Sequence, residues 1–340
     1  EYGYDIVKKL RGMFTFVLYD ETKKELFGAR DHFGIKPFYY YKTDDVFMFA
    51  SEIKAFLDHS EFKKELNKDV LDEYLRFNYT PGMNTFFKDV YKLEPGHYFV
   101  YKNDTLEITK YFEVTFDIKN QEFESLVDEI SKCMKDSTKH HMISDVEVGS
   151  FLSSGIDSSY LVALAKPDKT YTVGYDIPKY DEISYAKDLA DKLNIQNKNK
   201  KISKKEYFKV IPKIMYHMDE PLADPAAVAL YFVAELASHD VKVVLSGEGA
   251  DEFFGGYNNY HQEVDFGFYN KIPFKIRNII AKICLHLPEV KGINFLVRRG
   301  LSLEDYYIGV NTVFTERESK KYLNFKEHSK TNKELIRPIF

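Results

Sequence analysis

The stretch Phe151-Leu-Ser-Ser-Gly-Ile-Asp-Ser-Ser159 sets a small-residue turn carrying one carboxylate between a buried strand and a helix. Upstream, Val146-Glu-Val-Gly-Ser-Phe-Leu152 alternates and then turns apolar, as a strand entering an α/β sheet does. Downstream, Tyr160 to Ala165 reads as the first turns of an amphipathic helix. A Ser/Gly turn at a helix N-terminus leaves backbone N–H groups free to face an anion, and the helix dipole adds partial positive charge. Asp157 would repel a bare phosphate. With a divalent cation between them the same carboxylate becomes a ligand, so the loop points to a magnesium nucleotide. No Lys follows, which separates it from the phosphate-cradling loop that ends in Gly-Lys-Ser/Thr. Taken alone, a strand-to-helix turn with Asp157 as its cap accounts for the stretch equally well.

A second stretch, Val243-Val-Leu-Ser-Gly-Glu-Gly-Ala-Asp-Glu-Phe-Phe-Gly-Gly-Tyr257, repeats the pattern. An apolar strand runs into Ser246-Gly247, where backbone can approach a ligand closely. If Gly249 to Phe254 forms a helical turn, Glu248, Asp251 and Glu252 lie three and four residues apart on one face. Clustered carboxylates repel unless a cation sits among them. In an open parallel sheet ligands bind outside the carboxyl ends of the strands, so both loops are expected to face one crevice. A third acidic stretch, Asp219-Glu-Pro-Leu-Ala-Asp224, reads as a turn before a helix starting near Pro225. His140-His141 reads as the C-terminal end of a helix beside Asp145 rather than as a metal site.

The chain has 340 residues, 44% hydrophobic and 30% charged, enough for two domains with cores of their own. A formal charge of −5 offers no basic field for nucleic acid, and the Lys-rich patches at 198–205 and 320–333 read as solvated faces. Cys133 and Cys284, the only cysteines, have no metal-ligand spacing, which suits a reducing cytoplasm. No apolar run approaches the roughly 20 residues of a membrane span. Glu1 in place of Met, and an apolar end at Phe340, raise the expectation of a piece of a longer protein.

Two zones follow from the periodicity. From Met13 to about Tyr111, the runs Phe14–Tyr19, Glu25–Arg30, Phe38–Tyr41 and Phe47–Ser51 predict antiparallel strands, with helices at Glu52–Asp58 and Lys68–Phe77. The loop Thr80–Asn84 and the turn Glu94–His97 bracket a final strand pair ending near Tyr111. From Phe123, helices alternate with strands at 146–152, 169–174, 197–202 and 241–245, which predicts a parallel sheet. The boundary falls in the polar span 117–122, giving domains 1–118 and 119–340.

These motifs carry a resemblance. Ser153-Ser-Gly-Ile-Asp-Ser158 resembles the pyrophosphate-binding loop of the ATP pyrophosphatase superfamily, and Leu245 to Tyr257 resembles the signature of glutamine-dependent asparagine synthetases. Arg11-Gly-Met-Phe-Thr-Phe16, Ala29-Arg-Asp-His-Phe-Gly-Ile-Lys-Pro37 and Phe49-Ala-Ser-Glu-Ile-Lys-Ala55 are similar to the second half of that family's glutaminase domain. The resemblance implies an α/β fold class: an antiparallel β-rich remnant of an Ntn-type glutaminase domain, then a parallel-sheet ATP pyrophosphatase (adenine nucleotide alpha hydrolase-like) domain. It departs at three points. The family's N-terminal Cys nucleophile and its glutamine-binding motifs do not precede the match, so glutamine hydrolysis by that route is not expected of this chain. The family's later Lys-bearing helix and Arg-x-Pro-x-Leu-Asp motif do not occur before Phe340, and Ser154 stands where the loop commonly has Gly.

The activity implied is ATP-dependent conversion of aspartate to asparagine through β-aspartyl-AMP, with ammonia derived from glutamine. Leu152, Ser153, Ser154, Gly155, Asp157, Ser158, Val173, Ser246 and Gly247 become the expected ATP-binding residues, and Asp157 and Asp251 the Mg2+ ligands. Backbone N–H groups from Ser153 to Ser158 would hold the pyrophosphate. Glu248 becomes the general base or ammonium-binding carboxylate, because the nucleophile must lose a proton as the C–N bond forms. ATP and Mg2+ are the implied cofactors, and aspartate, ATP and glutamine or ammonia the partners. The expected partners include neither nucleic acid nor membrane, and the assembly admits a homodimer. The residues also admit a related carboxylate-adenylating amidotransferase, a β-lactam synthetase-like ring former, or a nucleotide-binding fragment without turnover.

Overall fold

In a computed structural model of the chain, residues 2–177, 182–257, 260, 268–287, 290–302, 305, 313–323 and 330–337 are described. The contacts divide the chain into two compact units. One comprises 1–116, 219–221 and the described part of 266–340; the other comprises 117–218 and the described part of 222–265.

In the first unit, β1 (Thr15–Asp20), β2 (Glu25–Arg30), β3 (Tyr39–Lys42), β4 (Phe47–Ala50), α1 (Asp69–Phe77), β5 (Val90–Lys92), β6 (His97–Lys102) and β7 (Thr105–Lys110) follow in order. They form two antiparallel sheets, β1-β2-β6-β7 and β4-β3-β5. Because side chains alternate along a strand, each aromatic strand turns one face inward. Tyr40 and Phe47 of one sheet thereby share a core with Leu26, Phe99 and Tyr101 of the other. The Phe47 and Tyr101 rings stack at 4.3 Å.

Two expectations change here. The helix predicted at Glu52–Asp58 is a short 3-10 turn, Ile53–Phe56, because Ile53 and Phe56 both drop into the core within one turn. The span between the loop at 80–84 and the turn at 94–97 holds the single strand β5, paired with β3. The expected pair is the hairpin β6–β7 that follows the turn. Asn103 and Asp104 close this hairpin with φ of 48° and 58°, the left-handed backbone that a tight two-residue turn requires.

The second unit runs α2 (Phe123–His141), β8 (Val148–Phe151), α3 (Ile156–Ala165), β9 (Lys169–Tyr175), α4 (Ile183–Lys192), β10 (Gln196–Ile202), α5 (Lys204–Met218), α6 (Ala226–Ser238), β11 (Val243–Leu245) and α7 (Ala250–Phe254). The sheet is parallel throughout, in the order β10-β9-β8-β11. From β8 the chain steps outward to β9 and β10, then returns to the other side of β8 as β11. The strand order therefore reverses between β8 and β11.

Lys and Asn alternate along the edge strand β10, where charge discourages pairing with another chain. Its lysines are not merely solvated: Lys198 pairs with Asp240 at 2.7 Å and Lys200 with Glu206 at 3.1 Å. Of the other basic patch, residues 324–329 lie outside the described residues. His140 and His141 sit at the end of α2, their Nδ1 atoms against the carbonyls of Asp136 and Ser137 one turn back. No helix among the described residues is long and apolar enough to cross a membrane.

Candidate functional site

Helix α3 starts at Ile156, four residues before the start expected from the apolar pattern, so Asp157 and Ser158 belong to its first turn. Hydroxyls organise the entry. Ser158 Oγ accepts from the Ser153 N–H (3.1 Å) and donates to the Gly155 carbonyl (3.2 Å), while Ser153 Oγ accepts from the Gly155 N–H (3.1 Å). The Ser153 and Gly155 N–H groups are thus engaged within the loop and are not part of a free row of donors. The first-turn N–H groups of Ile156, Asp157 and Ser158 lie where no intrahelical acceptor reaches. Gly155 holds the N-cap position and Asp157 lies inside the first turn, so the expected role of Asp157 as the cap is not met.

The second loop meets the first at Gly247. A Cβ built there would lie 3.0 Å from the Ser158 nitrogen and 3.2 Å from the Asp157 carbonyl carbon. Parallel pairing of β11 with β8 brings the loops to this distance, and Ser150 Oγ, fully buried, donates across to the Leu245 carbonyl at 3.3 Å. Gly247→Val is expected to force the two backbones apart, costing about 1–3 kcal/mol in urea unfolding. A variant as stable as the parent would contradict the close approach.

Helix α7 covers only Ala250–Phe254, and Gly249 precedes it with φ 91°. Glu248 therefore lies before the helix, and the one-face geometry expected for Glu248, Asp251 and Glu252 does not arise from helical spacing. All three nevertheless line one cleft of about 370 Å³ at the carboxyl ends of β8 and β11. A Cβ at Gly256 would overlap the Asp251 carboxylate, so the missing side chain leaves that carboxylate its room. Tyr257 donates its hydroxyl to Glu252 at 2.8 Å, and this bond with nearby charge pushes the phenol up to about 12.

Leu152, Ser153, Gly155, Asp157, Ser158, Val173, Ser246, Gly247, Glu248 and Asp251 all line the cleft; Ser154 is exposed and lies outside the lining. Leu152 is held by its N–H to the Tyr171 carbonyl (2.9 Å) and by its own carbonyl, which accepts from Thr172 Oγ1 (2.7 Å). Sequence reasoning missed one wall: Ala226, Ala229, Leu230 and Val233 of α6. Their i, i+3, i+4, i+7 spacing was the available signal. It was obscured because α6 is apolar on its other faces too, where Val228 and Phe232 pack with α5 and Ala237 with Tyr171.

The acidic turn at 219–224 divides. Asp224 accepts from the Ala226 N–H at 2.8 Å, as a turn before α6 should. Asp219 instead accepts from the Ile53 N–H (2.7 Å) and pairs with Lys54 (2.8 Å), and Glu220 accepts from the Phe86 N–H (2.8 Å). These two carboxylates belong to the first unit.

The cleft's described lining carries Asp157, Glu182, Glu248, Asp251 and Glu252 and no Lys or Arg. Asp157 and Asp251 present hard carboxylate oxygens to the cleft, but no group of three or more His, Cys, Asp or Glu side chains among the described residues is placed to hold a metal ion. Strand order, loops and cleft define the class: an open parallel α/β domain with a cleft at its topological switch point.

The chain belongs to the asparagine synthase family, whose pattern matches residues 129–330. A glutamine amidotransferase domain pattern matches residues 1–112. Asparagine synthetase [glutamine-hydrolyzing] 1 of Bacillus subtilis (strain 168) is 39% identical over 345 residues, covering 100% of this chain and 54% of that protein. Asparagine synthetase [glutamine-hydrolyzing] 3 of the same organism is 32% identical over 291 residues, covering 79% of this chain and 47% of its own length. The chain thus spans about half the length of the curated relatives it matches. Among solved structures, the NH3-dependent NAD synthetase from Campylobacter jejuni aligns with 53% of this chain and 94% of its own at 13% identity and a TM-score of 0.26, a likeness too slight to bear on the fold.

Proposed function

We propose that the chain carries the ATP-dependent amidating part of an asparagine synthetase, converting aspartate to asparagine through β-aspartyl-AMP with glutamine-derived ammonia. The observation that carries this reading is the seating of Gly247 on the first turn of α3, which brings a helix N-terminus and three carboxylates with separate tasks into one cleft.

An oxygen of the aspartate side chain attacks the α-phosphorus of ATP as the bond to pyrophosphate breaks. Charge builds on the departing pyrophosphate, and the N–H groups of Ile156 and Asp157 in the first turn, at the dipole end of α3, are the donors suited to receive it. Mg2+, held by Asp157 and Asp251, would neutralise phosphate charge when bound. Ammonia then attacks the acyl carbon and AMP leaves with the bonding pair. Glu248, exposed at the cleft mouth, takes the proton that the nitrogen sheds. Leu152 and Val173, with the α6 wall, form the apolar end suited to adenine. The reading includes the cytoplasm as the setting and a homodimer as the assembly.

The test is release of pyrophosphate and AMP when the chain is given ATP, Mg2+, aspartate and ammonium, with asparagine measured in parallel. Release that depends on aspartate is expected. ATP binding without release would overturn the ligase reading and leave a nucleotide-binding domain.

A further inference from the structure

Four of the five carboxylates in the cleft come from α3 and from residues 246–257. The fifth, Glu182, comes from elsewhere. It immediately precedes α4, beyond the carboxyl end of β9, and β9 is the neighbour of β8 on the side away from β11. Packing fixes this position. A Cβ at Gly174 would lie 3.1 Å from the Ile183 side chain and 3.9 Å from the Glu182 nitrogen, so the start of α4 is pressed onto the end of β9. Ile183 is 9% exposed and anchors that turn, while the Glu182 side chain is solvent-accessible and lines the same cleft as Leu152 and Val173.

The carboxylates assigned to the phosphates, Asp157 and Asp251, come from α3 and from the segment after β11, whereas Glu182 enters the cleft from the β9 side. What a carboxylate recognises beside a nucleobase pocket is a pair of adjacent hydroxyls, because its two oxygens accept two O–H donors at once. In dinucleotide-binding α/β folds an acidic residue about 20 positions after the phosphate-binding loop accepts a hydrogen bond from the ribose 2′-hydroxyl, and Glu182 holds a comparable place here. β8 leads into the Ser153 loop and β9 is the next strand.

We infer that Glu182 is a specificity-determining residue that accepts hydrogen bonds from the ribose hydroxyls of the nucleotide, so that the cleft selects ribonucleotides over 2′-deoxyribonucleotides. The inference rests on the ATP reading above and adds to it which part of the nucleotide this carboxylate touches. Losing one hydrogen bond to a charged acceptor corresponds to roughly a tenfold change in affinity.

The experiment is calorimetric titration of the chain, with Mg2+ present, against ATP and 2′-deoxy-ATP, repeated for Glu182→Ala and Glu182→Asp. The parent is expected to bind ATP roughly tenfold more tightly than 2′-deoxy-ATP. Glu182→Ala should bind both nucleotides alike, and more weakly than the parent binds 2′-deoxy-ATP because the 3′-hydroxyl bond is lost as well, and Glu182→Asp should recover part of the preference. Glu182 makes no side-chain cap to α4, so thermal melting should be unchanged in both variants. Equal binding of the two nucleotides by the parent, or a preference that survives in Glu182→Ala, overturns the assignment while leaving the ATP reading standing. A parent that binds neither nucleotide overturns both.

Discussion

Arg76→Ala is expected to lower the unfolding free energy by about 3–5 kcal/mol, the largest stability loss of any substitution considered for this chain. Arg76 is fully buried on α1. Its guanidinium pairs with Asp72 Oδ2 at 3.0 Å, donates to the Lys330 carbonyl at 2.7 Å and reaches the Asn332 side chain. Asp72, also buried, takes a second bond from Ser319. One ion pair thus ties α1 to segments more than two hundred residues away in sequence. Removing the cation leaves Asp72 buried with the Ser319 hydroxyl as its remaining partner and no opposing charge on Oδ2. It also strips from Glu73 the charge that best opposes its burial, which already pushes that carboxyl up from its ordinary value.

A raised carboxyl pKa favours the folded state at low pH and loses that contribution as pH rises through the folded value. The Arg76→Ala penalty should therefore be smaller in mildly acidic buffer than at neutral pH. Urea unfolding at both conditions measures it. Arg76→Met combined with Asp72→Leu removes both charges and should recover most of the loss. Equal penalties for the single and the double variant would show that packing, and not the orphaned charge, sets the cost.

Asp157→Asn and Asp251→Asn are each expected to lower aspartate-dependent pyrophosphate release on the order of 100-fold. Their second signature is a shift of the Mg2+ dependence to higher concentration, visible in ATP binding without turnover. Neither carboxylate is part of the core, so the fold should survive both changes. ATP affinity with unchanged Mg2+ dependence would refute the metal role of the residue concerned. Glu248→Gln should differ from both: it retains ATP binding and its Mg2+ dependence and loses asparagine formation.

Much of this site is legible in the sequence because strand ends and glycine loops are local signals. β2 occupies the span its alternation predicts, Glu25–Arg30, and the parallel strands fall within two residues of their expected limits. The beginning of α3 was misplaced because Ile156 is exposed (81%) and Asp157 is charged; the first turn of a helix at a cleft mouth carries no apolar stripe to announce it. The α6 wall was missed for the opposite reason: a helix apolar around most of its circumference, with Tyr231 and Glu235 as its one polar edge, does not say which apolar side faces a cavity. Glu182 gave no sign at all, since an acidic residue before a helix is ordinary.

The sequence alone determined the parallel sheet and the paired loops, because period-2 and period-3.6 patterns and glycine turns act over a few neighbouring residues. The compact units divide the chain differently from the expected 1–118 and 119–340, with 219–221 and the described part of 266–340 joining the N-terminal unit. The tertiary structure decided what those patterns leave open. It placed β11 beside β8, set Gly247 against the turn of α3, and sent Asp219 and Glu220 to the first unit's Ile53 and Phe86 while Asp224 stayed to begin α6. Each of these joins groups far apart in the chain. Their partners are chosen by packing and by the need of buried polar groups for hydrogen bonds, which no short window of sequence contains.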